Sequence, residues 1–118
     1  MNIQRLRDLP PFPPLMTLDL QDIKGSGMRW LQEVDQRLYE VKQILLDEGV
    51  TADNIMISFD DRDFTDECFY FRGNGRDITK EVVQAIGIPP EAIHAVVRMV
   101  IRQKGKTLLS KLKVIEVY

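Results

Sequence analysis

Apolar and polar positions along this chain fall into a few distinct periods. Leu31, Val34, Leu38, Val41 and Leu45 recur at alternating spacings of three and four, an apolar stripe along one helix face. Gln32, Glu33, Gln36, Arg37, Glu40 and Gln43 take the other face, where Glu33 and Arg37 form a supportive i,i+4 pair. With Ser26 as a possible N-cap and Gly49 as the stop, the spacing predicts a helix over 27–48. Before it, Met16, Leu18 and Leu20 alternate with polar residues, the pattern of a half-buried strand.

Beyond Gly49 the period shortens to two. Ile55, Ile57 and Phe59 read as one strand, and Cys68-Phe69-Tyr70-Phe71-Arg72 as another, together an antiparallel hairpin. Asp77 or Thr79 then caps a short helix carrying Val82, Val83 and Ile86, closed by Gly87. Ala92–Gln103 is long enough for a helix. Its run Val96-Val97-Arg98-Met99-Val100-Ile101 is mostly β-branched, however, and predicts a strand. Lys104-Gly105-Lys106 would turn it into a last strand ending at Tyr118.

Two junctions resemble each other 38 residues apart: Gly49-Val50-Thr51-Ala52-Asp53-Asn54-Ile55 and Gly87-Ile88-Pro89-Pro90-Glu91-Ala92-Ile93. Taken as a repeat, they give two β-α-β halves. The expected fold class is α+β: a ferredoxin-like βαββαβ plait with an additional C-terminal strand, an antiparallel sheet with two helices on one face. Residues 1–15, with Pro10, Pro11, Pro13 and Pro14, would be a proline-rich arm without a helix, and 16–118 a single domain.

In such a plait Leu18, Leu20, Ile55, Ile57, Phe59, Phe69, Phe71, Val97, Met99 and Ile101 point inward. The outward face would present Met56, Ser58, Tyr70, Arg72, His94, Arg98, Arg102, Lys111 and Lys113. An open, mixed surface of this kind suits a protein partner or self-association. Tyr70, Arg72, His94, Arg98, Arg102, Lys111 and Lys113 are the candidate binding residues. The same basic face is also compatible with nucleic acid, although the Lys/Arg-Gly opening of RNA-recognition strands is absent.

Composition narrows the function classes. The chain has 118 residues, 16 Lys+Arg against 18 Asp+Glu, one Cys, one His and one Trp. A single cysteine excludes an intrachain disulfide, and one Cys with one His excludes the common structural zinc sets. No apolar run approaches the roughly 20 residues of a bilayer span. The first 14 residues lack an apolar signal core, so the expected location is the cytoplasm. The near-neutral total hides segregation: 53–67 hold six acids and one base, whereas 92–115 hold six bases and no acid.

Three further patterns suggest chemistry. Arg72, Gly73, Gly75 and Arg76 lie between a strand and a helix start, where glycines and arginines can form an anion nest. Asp60, Asp61, Asp63 and Asp66, beside Glu67, are weak hard-cation candidates for a metal-dependent hydrolase, without EF-hand spacing. A solvated loop explains them more simply. Arg7, Pro10 and Pro13 match the spacing of polyproline ligands. Cys68 and His94 fall on different strands and do not announce a nucleophile and base. The sequence therefore predicts a non-enzymatic binding or interaction protein without a cofactor. Nucleic-acid binding is the alternative, and acidic-loop hydrolysis the third reading.

Overall fold

The computed structural model describes residues 4–10, 26–50, 55–62, 69–73 and 76–118. The strand expected at 16–20 lies outside them, as do Asp63, Asp66, Glu67, Cys68 and Gly75. The apolar stripe forms α2, Ser26–Asp47, and buries all five of its residues, from Leu31 to Leu45. Ahead of it, Gln4–Arg7 make a single helical turn, α1, where no helix was expected. Its Leu6 is buried in the same core, and Arg5 reaches Asp47 at the end of α2 at 3.2 Å.

The hairpin forms as its alternation predicts. β1 (Ile55–Phe59) pairs antiparallel with β2 (Phe69–Gly73), with Met56 opposite Tyr70 and Ile57 opposite Phe69. Phe59 and Phe71 are both fully buried. A two-residue strand, β3 (Arg76–Asp77), extends β2 on its other side. The chain then enters α3, Thr79–Ile86, which buries Val82 and Ile86 and stops at Gly87 with φ 74°. The Asp77 carboxylate accepts the Thr79 N–H at 2.9 Å, while the Thr79 hydroxyl accepts the Phe71 N–H at 2.9 Å. One short segment thereby ties the helix start to the hairpin.

The predicted plait fails at residue 90. Pro90–Lys104 are a helix, α4, and not a strand. Ile93, Val96, Val97 and Val100 are buried, and their spacing of three, one and three marks a helix face. Met99 and Ile101, which a strand would have turned inward with Val97, are only half-buried. Packing of this face against α2 overrides the β preference of its branched residues. The termini favour a helix too: Pro90 opens it, Glu91 lies in the first turn, and Arg102 and Lys104 lie in the last. The 38-residue repeat is accordingly not structural. Both glycines follow a helix, but Ile55 opens a strand and Ile93 sits inside α4.

The C-terminal hairpin is also replaced. Lys106–Lys111 form a 3₁₀ helix, and only Glu116–Val117 form a strand, β4. That strand joins β1 in parallel, so the sheet is small and mixed, in the order β3-β2-β1-β4. The described chain is mostly helical, and the ferredoxin-like fold is not its architecture.

Candidate functional site

The charges of the C-terminal third belong to α4 and the 3₁₀ helix. Arg98 and Arg102 are one turn apart on the exposed side of α4, about 6 Å along its axis. Lys104 ends that helix, and Lys111 lies in the last turn of the 3₁₀ helix, which packs back against α4. These four cations are exposed, and none forms an ion pair with a described residue. Exposed Gln103, Thr107 and Ser110 lie among them.

The other two bases of the segment are committed. Lys106 is paired with Asp61 at 3.1 Å. Lys113 donates to the Gln36 side chain at 2.9 Å and sits 5.0 Å from the Tyr39 ring centroid. The acidic and basic stretches thus meet within one molecule, and part of the segregation seen in the sequence is neutralised internally.

His94, expected on an outward face, is instead 5% exposed. It lies one turn before Arg98, its ring centroid 5.8 Å from that of Phe59. Burial lowers its pKa below the ordinary 6.5; Arg98 acts in the same direction, and the Asp60 carboxylate opposes both. The ring is thus buried against a core phenylalanine and does not lie on an exposed face. Because α4 is a helix, His94, Arg98 and Arg102 share no sheet face with Tyr70 and Arg72, which lie on β2.

Of the nest candidates, Arg72 and Gly73 end β2 and Arg76 opens β3, with Gly73 opposite Arg76. The adjoining start of α3 borders an open cleft of about 560 Å³. The Asp77 carboxylate occupies its first available N–H, and Glu81 stands in the same lining. An anion there would meet the Lys80 ammonium but also these two carboxylates, so the lining is net negative. Of the acidic candidates, Asp60 accepts the Arg62 N–H at 2.8 Å and its guanidinium at 3.3 Å, and Asp61 holds Lys106. Among the described residues no three His, Cys, Asp or Glu side chains gather as a metal set. Arg7 is helical, not in the extended form a polyproline ligand needs, and Pro13 lies outside the described residues.

A second cleft, about 440 Å³, lies between the 3₁₀ helix and the last residues and includes Leu109, Leu112, Val117 and Tyr118. Lys106 and Lys113 border it, but both are engaged elsewhere. The Tyr118 hydroxyl donates to Glu116 at 3.0 Å, which raises its pKa. The Lys113 ammonium and the Glu116 carboxylate both border this cleft, so it has no surplus of one sign.

Two polar residues of α2 are buried although the apolar stripe does not include them. Asp35 is 3% exposed and accepts three successive backbone N–H groups, from Lys113, Val114 and Ile115, at 2.6, 2.9 and 3.0 Å. The signal was its position: four residues after Leu31 and three before Leu38, inside the apolar arc. Arg37, assigned to the outer face, is buried; it pairs with Glu40 at 3.7 Å, and its Nε has no acceptor among the described residues.

Comparison with known protein families, with curated proteins and with solved structures returns no match for this chain. No helix among the described residues is long and apolar enough to cross a membrane.

Proposed function

We propose that the protein is a non-enzymatic binding protein that docks an acidic partner on the exposed side of α4 and the adjoining 3₁₀ helix. One observation carries this reading. Arg98, Arg102, Lys104 and Lys111 are exposed and form no ion pair with any described residue, although the chain as a whole has more acids than bases. Cations that only stabilise a fold tend to find carboxylates or helix ends. Lys104 and Arg102 do complement the C-terminal end of α4, and Lys111 lies in the last turn of the 3₁₀ helix, but Arg98 stands before the last turn of α4 and has no such role. Four free cations in one segment raise the local concentration of anions and steer their approach.

Retention on an immobilised polyanion such as heparin tests this reading. The wild-type chain is expected to bind at low salt. The Arg98→Ala, Arg102→Ala, Lys111→Ala triple variant is expected to elute at markedly lower salt, with an unchanged far-UV circular dichroism spectrum. A wild-type chain that flows through at 50 mM salt, or a triple variant that co-elutes with it, overturns the proposal.

A further inference from the structure

We infer that the partner on this surface is the phosphate backbone of a double-stranded nucleic acid, contacted without base readout. The inference rests on the docking proposal above and specifies its partner. Interfaces between proteins are built around buried aromatic and apolar anchors, with charge at the rim. Interfaces with duplex backbone are more polar and much more positive. The α4–3₁₀ surface is of the second kind. From Pro90 to Lys111 the sequence contains no Phe, Tyr or Trp. Its apolar side chains are buried or half-buried, apart from Ala95, so the exposed side offers guanidinium, ammonium, hydroxyl and amide groups.

Tyr118 is the exposed ring that borders the 3₁₀ helix, and its hydroxyl is held by Glu116. A lone ring beside a carboxylate is a poor platform for single strands, whose bases are normally held by stacking on successive aromatic rings. Arginine suits the phosphate because its fork can donate two parallel hydrogen bonds to one anion. Arg98 and Arg102 stand about 6 Å apart along α4, close to the rise of two phosphates along one strand, about 3.4 Å each. Gln103, Thr107 and Ser110 supply neutral polar groups of the kind that contact phosphate oxygens alongside the cations. Glu91, the one acid on α4, lies nearly two turns before Arg98. It therefore orients the duplex toward the C-terminal half of the helix.

The test is a fluorescence-anisotropy titration of the full chain against a labelled 24-base-pair duplex between 50 and 200 mM salt. A 24-nucleotide single strand and poly-L-glutamate serve as competitors. Four phosphate contacts give a log–log salt slope of about −3.6, roughly a hundredfold loss of affinity over that range. Arg98→Ala with Arg102→Ala should reduce the slope by about 2. Asp61→Asn, which releases Lys106, should increase it by about 1 and tighten binding. The duplex is expected to outcompete the single strand and the polypeptide by tenfold or more. Equal or better competition by poly-L-glutamate overturns the nucleic-acid inference and leaves the docking proposal standing. Better competition by the single strand overturns the duplex assignment. Binding to none of the three overturns both.

Discussion

The Asp35 carboxylate shows how one residue can hold the C-terminal segment in place. Three consecutive N–H groups, at 113–115, converge on it in a buried setting, and without it they have no acceptor from α2. Asp35→Ala should cost about 3 kcal/mol of unfolding free energy in urea titrations, since buried donors left without an acceptor are expensive. Asp35→Asn, which keeps a carbonyl oxygen, should cost less. A loss below about 1 kcal/mol for the alanine variant would show that the clamp is not needed. His94 makes a second prediction, and its sign is fixed by its lowered pKa. The native state holds the ring neutral while the unfolded chain takes up a proton near pH 6.5. Its contribution is therefore complete above that pH and declines as the pH falls from 6.5 toward the depressed native value. Thermal midpoints at pH 7.5 and 5.5 should separate more for the wild type than for His94→Leu. Equal separations would contradict the account.

Among the elements, α2, the β1–β2 hairpin and α3 were legible in the sequence because each repeats one period over its whole length and ends at a turn residue. α4 was not. Its Val96, Val97, Val100 and Ile101 carry an intrinsic β preference, while Ile93, Val96, Val97 and Val100 carry a helical period, and only packing against α2 decides between them. Assigning that segment as a strand displaced everything after it, so the 3₁₀ helix and the parallel pairing of β4 went unseen. The charge content of the proposed docking surface was still visible in the composition of 92–115. Its shape was not, and neither was the burial of His94. The junction between α4 and the 3₁₀ helix offers a direct check. Gly105 has φ 80° and ψ 171°, a region nearly reserved for glycine, and a Cβ added there meets no atom within 4 Å. Gly105→Ala should therefore destabilise by backbone strain alone, about 1–3 kcal/mol in denaturant unfolding. An unchanged midpoint would mean that the turn is not as described.

For the molecule as a whole, a net charge of -2 coexists with a strongly cationic surface because acids and bases occupy different segments. Asp61 meets Lys106, which ties the end of β1 to the start of the 3₁₀ helix, while the cations on α4 and at Lys111 pair with no carboxylate among the described residues. The central claim is that residues 90–104 are a helix whose exposed C-terminal half, continued into the 3₁₀ helix, receives a phosphate backbone. A ¹H–¹⁵N NMR titration of the full chain with the 24-base-pair duplex, after backbone assignment, tests both parts in one measurement. The account predicts helical carbon shifts over 90–104 and amide perturbations concentrated at 98–111, with the start of α3 at 79–84 unaffected. Extended shifts over 90–104, or perturbations centred on 79–84, would contradict it.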